Sequence, residues 1–206
     1  MAALCVLIPL ESSKAQSIEL LDARSAGYIN FDWAGMRDST KMKLHITNRT
    51  EREWLVQIEV GTKLEPAGGN AQSMVVTKEV HVHMHPHDSQ RIEVEAACLD
   101  ISKPPPDTTD TNWTARSVGS LKEFIACVNG IIDTLVDSAP ADERTTLRNL
   151  RSSILQSALW RARGASRTDW IKFFVDYQGM TQEEAEEATD FTDEASGPIV
   201  DQCPSI

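Results

Sequence analysis

One stretch limits what this chain can fold into more than any other: Glu79-Val80-His81-Val82-His83-Met84-His85-Pro86-His87. Apolar residues and histidines alternate there with period two, the pattern of a half-buried strand. Val80, Val82, Met84 and Pro86 share one face, and His81, His83, His85 and His87 share the other. Residues 90–98 alternate in the same way, with Ile92, Val94 and Ala96 apolar. Apolar side chains must face apolar ones, and a slip of one residue would reverse every side chain. A loop of His87-Asp88-Ser89 meets that condition and predicts an antiparallel hairpin, with Met84 opposite Ile92 and Val82 opposite Val94. A shorter loop would set His85 opposite Ile92 and is rejected. On the polar face, this register sets His83 beside Glu93, His81 beside Glu95 and His85 beside Arg91.

Neighbouring same-face residues of a strand lie roughly 6.6 Å apart, from a rise of about 3.3 Å per residue. Two imidazoles so placed can converge on one ion, whereas three in a row cannot easily do so. A metal site on this strand therefore takes two histidines and a further ligand from a neighbouring strand. The candidate set is His81, His83, His85, Glu93 and Glu95, for zinc or another transition metal, with His45 a further candidate if its strand is adjacent. The competing account is a solvated outer face of histidines with cross-strand carboxylates, which a half-exposed sheet needs no special reason to carry.

The rest of residues 17–102 reads as strand. Residues 17–23 open the ordered part, and residues 26–33 look like a second strand. Residues 38–39 form a turn. Residues 41–47 alternate with Met42, Leu44 and Ile46 inward. Trp54, Val56, Ile58 and Val60 mark the next apolar face, and Met74-Val75-Val76 leads into the histidine strand. About seven short strands separated by turn signals predict a β-sandwich. Lys103-Pro104-Pro105-Pro106-Asp107 cannot continue a ladder and begins an extended spacer over residues 103–115. From there the apolar period becomes helical. Helices are predicted over residues 117–137 and 142–163, then a third capped by Ser166 or Thr168 and ended by Gly179. A short fourth helix follows, capped by Thr181 with Glu184. The domains are thus 17–102 (sandwich), 103–115 (spacer), 116–192 (helical bundle) and 193–206 (acidic, mobile tail). The fold class is α+β: an N-terminal Ig-like antiparallel β-sandwich followed by a small C-terminal helical bundle.

Charge narrows the function. The 206 residues carry a formal net charge of -11, which argues against a nucleic-acid binder. Beyond Gln178 there is no Lys or Arg, while Glu183, Glu184, Glu186, Glu187, Asp190, Asp193, Glu194 and Asp201 crowd together. That points to a protein partner with a basic surface. Cys5, Cys98, Cys127 and Cys203 show no metal-finger spacing, and their dispersion fits reduced thiols in a cytoplasm, with Cys127 in a helix core. No run approaches the length of a membrane span, and the apolar residues 2–10 lack the basic start of a secretory signal. Asn48-Arg49-Thr50 and Asn112-Trp113-Thr114 match the glycosylation sequon.

Two resemblances add to this reading. Gln156-Ser157-Ala158-Leu159-Trp160 resembles the Gln-x-Ala-x-Trp box of bacterial thioester-domain adhesins. In that family the glutamine bonds covalently to an upstream cysteine, which here would be Cys98 or Cys127. The resemblance spans those residues alone: Leu155 stands where the family has threonine, and the family's aromatic-cysteine box is missing. The sandwich half (Asn48-x-Thr50, Gln72-x-Met74-Val75 and Cys98 ahead of the prolines) is similar to uncharacterised Ig-like domains of bacterial proteins, which implies a fold and not an activity. No nucleotide loop, nucleophile elbow or zincin helix appears. The expected function is a non-enzymatic, cytoplasmic protein–protein interaction module: an adaptor, inhibitor or target within a multi-component bacterial system. The alternative is a metal-binding protein or metal-dependent enzyme centred on His81, His83, His85 and His87.

Overall fold

The structure, a computed structural model, describes residues 15–36, 40–110 and 112–206. The elements among the described residues run β1 (Gln16–Glu19), α1 (Leu20–Ser25), β2 (Ile29–Ala34), β3 (Lys41–Asn48), β4 (Trp54–Ile58), β5 (Thr62–Pro66), β6 (Met74–Val76), β7 (Val80–Met84), β8 (Ser89–Cys98) and β9 (Trp113–Ser117), and then α2 (Gly119–Ser138), α3 (Arg144–Ala162), α4 (Arg167–Gln178) and α5 (Gln182–Val200). The class is α+β: the strands come first, interrupted by the short helix α1 where strand was expected, and the four longer helices follow. Residues 2–10, Cys5 and the expected turn at 38–39 lie outside the described residues.

Two sheets form, one ordered β1-β4-β7 and the other β2-β3-β8-β6-β5-β9. The first contains a parallel pair, β1 with β4, so the expectation of a wholly antiparallel arrangement does not hold. Alternation places side chains as expected. Met42, Leu44 and Ile46 of β3, Trp54, Val56 and Ile58 of β4, Val82 and Met84 of β7, and Val94 of β8 all fall in one buried cluster shared by both sheets.

The histidine hairpin does not form. β7 pairs antiparallel with β4, matching Met84 with Trp54 and His83 with Leu55, whereas β8 pairs with β3 and β6. Residues 85–88 therefore carry the chain from one sheet to the other. Val82 and Val94 still share the core, but across it and not side by side. Period two dictates which face a residue shows and leaves open which strand stands beside it, so both arrangements satisfy the pattern.

Residues 103–115 are not a plain spacer. Trp113–Ser117 is an edge strand on β5. The prolines ahead of it are pinned: Gln72 donates from its backbone to Pro104 O at 3.0 Å and from Nε2 to Lys103 O at 2.6 Å. At Gly35 the spacer comes so close that a Cβ would lie 2.3 Å from the Asp107 carbonyl oxygen.

The helices cover one end of the larger sheet. Val75, Ala97 and Leu99 pack with Leu121, Phe124, Ile125, Val128, Leu155, Leu159 and Ile199 in a second cluster. Ser166 caps α4 through Asp169, and Thr181 caps α5 through Glu184, both as complete capping boxes. Gly179 stops α4 in the left-handed conformation at φ 69°. The acidic segment differs from expectation: α5 continues to Val200, and Ser196, Gly197 and Ile199 are buried. Arg161 pairs with Asp193 and Arg167 with Asp190, so the basic residues of the preceding helices neutralise part of α5.

Cys127 and Cys203 form a disulfide, which corrects the expectation of reduced thiols. Both cysteines are half-buried, and the turn after α5 brings Cys203 back onto α2. Sequence spacing carried no sign of this, because the two residues are 76 positions apart.

Candidate functional site

The outer face of β7 presents His81 and His83, and His85 and His87 continue the row; all four are exposed. Each meets a carboxylate, but not the expected ones. His81 Nε2 lies 3.2 Å from Glu79 Oε1, and Gln57 Nε2 donates to the other Glu79 oxygen at 2.7 Å. His87 Nε2 lies 2.8 Å from Glu51 Oε1. His85 Nδ1 and His83 Nε2 share one carboxylate, at 3.1 Å from Glu53 Oε1 and 3.7 Å from Glu53 Oε2. The rings of His83 and His85 meet edge to face with centroids 4.7 Å apart.

Of the sequence-predicted set, the structure brings together His83 and His85. His81 turns to Glu79, while Glu93 and Glu95 belong to the other sheet, where Lys41 pairs with Glu93 and Lys78 with Glu95. His45 lies opposite Arg91 and contacts Ser89 Oγ at 3.1 Å. Sequence reasoning missed Glu53. It immediately precedes the alternating run Trp54, Val56, Ile58 and so shares the outer row with Leu55 and Gln57, a signal that becomes readable once β4 is known to pair with β7.

The loop that delivers Glu53 is fixed by Asn48, which is 1% exposed. Its Nδ2 donates to Arg52 O at 2.7 Å and to His85 O at 2.8 Å, and its Oδ1 accepts from the Thr50 backbone and hydroxyl, both at 2.9 Å. One buried amide thus holds the backbone next to Glu53 and the backbone of His85. This also disposes of the first sequon, whose asparagine amide is committed inside the fold. On the other side of the row, Gln90 Nε2 donates to His83 O at 2.7 Å and to Asp88 Oδ2 at 2.6 Å. That contact, followed by the Ser89 backbone N–H, holds the Asp88 carboxyl below its ordinary pKa.

A second cluster lies between sheet and bundle. Gln156 is 6% exposed, and its Oε1 accepts from the Cys98 backbone N–H at 2.7 Å while its Nε2 donates to Cys98 O at 2.6 Å. Cys98 is fully buried with Sγ 3.3 Å from Met74 Sδ. Of the two cysteines open to Gln156 by sequence, Cys127 is taken by its disulfide and Cys98 is in contact.

A third feature is Phe191 on α5, 61% exposed. It borders a shallow concavity with Gly179, Met180, Glu184, Glu187 and Ala188.

Comparison with family models, with curated proteins and with solved structures finds no match to this chain. No helix among the described residues is long and apolar enough to cross a membrane.

Proposed function

We propose that the protein is a non-enzymatic interaction module of a multi-component bacterial system, built as an Ig-like sandwich with a helical bundle and engaging a basic protein surface through α4 and α5. The observation that carries this reading is Phe191. A phenylalanine left 61% exposed inside an acidic, slightly concave surface is unusual for a side chain with no other duty. Aromatics on such surfaces serve as anchors, and the acid around them raises the rate of encounter with an opposite charge. Glu183, Glu187 and Glu194 remain exposed around it, with no Lys or Arg beyond Gln178. The same excess of negative charge speaks against nucleic acid as the partner. On compartment, the Cys127–Cys203 bridge weighs against the cytoplasmic expectation and favours an oxidising setting. The test is capture from native lysate by wild type, Phe191→Ala and Glu187→Lys. One identified partner with a basic surface, retained by wild type at low salt and lost in both variants, is the expected result. Equal retention by all three would sink the reading.

Gln156 supports a second reading, an internal thioester of the kind the adhesin resemblance implies. The Cys98 thiol would add to the Gln156 carboxamide carbon, the S–C bond forming as the C–Nε2 bond breaks and ammonia carrying away the thiol proton. The Cys98 N–H already donates to Oε1 and would stabilise charge developing there. Sγ must first turn from Met74. Intact mass of the denatured, unreduced protein decides: a species lighter by one ammonia, absent in Cys98→Ala and trapped by methylamine, is required. The full mass, less only the disulfide hydrogens, rejects it.

A further inference from the structure

We infer that Glu53, His83 and His85 form a site for one divalent transition-metal ion, zinc foremost, distinct from the α4–α5 surface and independent of it. One ligand atom from each residue lies within 4.8 Å of the other two. Zinc bonds of about 2.0–2.1 Å in tetrahedral geometry separate donor atoms by roughly 3.4 Å. His85 Nδ1 lies 3.1 Å from Glu53 Oε1 and His83 Nε2 3.7 Å from Glu53 Oε2, on either side of that value. The set of three spans up to 4.8 Å, so closure needs side-chain rotations that draw the donors together. Two imidazoles with a carboxylate suit zinc and its neighbours in the transition series, not calcium or magnesium, which prefer oxygen. Three protein ligands on an outward face leave a fourth position to solvent.

The backbone that carries the ligands is held from outside the ligand set. Asn48 grips the backbone at Arg52 and at His85, and Gln90 grips the carbonyl of His83. The ligand backbones are therefore ordered before any ion arrives. His81 and His87 provide an internal comparison. They sit on the same row, equally exposed, each beside one carboxylate, at Glu79 and Glu51, with no second imidazole on that carboxylate.

That comparison makes the test. Zinc is titrated calorimetrically into the full chain, purified without a histidine tag, and cobalt(II) is used as an absorbing probe of the same site. One equivalent should bind, with a tetrahedral cobalt spectrum. Glu53→Gln, His83→Asn and His85→Asn should each weaken binding by at least about tenfold, while His81→Asn and His87→Asn leave it within about twofold, since neither supplies a ligand. The four histidines are exposed and Glu53 is half-buried, so folding is checked by circular dichroism, and the two histidine ligands back each other up should one variant misfold. Lack of saturable binding, or equal losses at all four histidines, would overturn the assignment and leave a row of surface ion pairs.

Discussion

At the scale of single residues, Asn48 has the most consequences. It lies at the end of β3, yet its side chain organises the loop after it and the end of β7, two segments of different origin. Thr50 extends the network, accepting from Trp54 Nε1 at 2.9 Å, and the Trp54 ring stacks on Tyr28 at 4.8 Å. Replacing Asn48 with Ala strands the Arg52 and His85 carbonyls and the Thr50 donors in a part-buried place. A loss of about 1–3 kcal/mol is expected, read from the urea midpoint at unchanged slope. Asn48→Asp should be damaging too, because the carboxylate cannot donate to either carbonyl. A stability within error of wild type for both variants would show that the network is incidental. Sequence reading saw turn chemistry at Asn48 and nothing of its reach to His85, since a contact between positions 37 apart leaves no local pattern.

At the scale of elements, the helix starts were legible, as were the ends of α2, α3 and α4, whereas the end of α5 was not. Thr181 and Glu184 announce the start of α5, and their contacts are present: Glu184 Oε2 accepts from the Thr181 backbone N–H and hydroxyl, both at 2.8 Å. The Thr181 backbone N–H first, then its hydroxyl, hold the Glu184 carboxyl below its ordinary pKa; the Ser166 hydroxyl, then its backbone, do the same for Asp169. A carboxyl whose folded pKa is lowered adds stability that is present above its unfolded value and lost as pH falls through the folded one. Helix α4 and helix α5 should therefore loosen at their N-termini on acidification below the ordinary carboxylate range. Thr181→Ala should cost about 1 kcal/mol near neutrality, and Glu184→Gln, which removes the titrating carboxyl, should flatten the acid limb of the stability–pH curve. An unchanged acid limb in Glu184→Gln would refute the link. The far end of α5 escaped because Gly197 and Pro198 read as breakers. In the fold, Arg161 packs over Gly197, its guanidinium 3.3 Å from where a Cβ would sit, and Pro198 lies within the last turn of the helix. Strand faces were equally legible and strand partners were not. For the candidate site this meant that two of its histidines could be read from the sequence, while the shared carboxylate depended on a pairing between β4 and β7 that alternation does not encode.

At the scale of the whole molecule, sheet and bundle behave as one unit. Trp160, Trp170 and Phe173 belong to the same buried cluster as the strand residues, with Trp160 and Phe173 centroids 4.6 Å apart. Gln156 bonds both polar groups of the Cys98 backbone, and Arg163 Nε donates to Leu99 O at 2.7 Å. The helices thereby satisfy the end of β8, whose outward Ala97 would otherwise face water. Calorimetry should show one transition, and Trp160→Ala should lower it as a whole by about 3–5 kcal/mol instead of splitting it. Two resolved transitions would mean that the halves are independent. The C-terminal segment takes part in the same unit. Deleting residues 193–206 removes buried Ile199, the Arg161–Asp193 pair and the closure of Cys127 with Cys203 across 76 positions. By chain entropy that closure is worth about 4 kcal/mol, and burial of one isoleucine adds about 2 kcal/mol. The half-exposed ion pair adds less than about 1 kcal/mol. For a chain of this size the sum corresponds to a fall in Tm of roughly 12–28 °C. Reduction alone, which leaves Ile199 in place, should give the larger part of that fall, and Cys127→Ser should match it. If the truncated chain melts where wild type does, the last turns of α5 are not part of the folded unit.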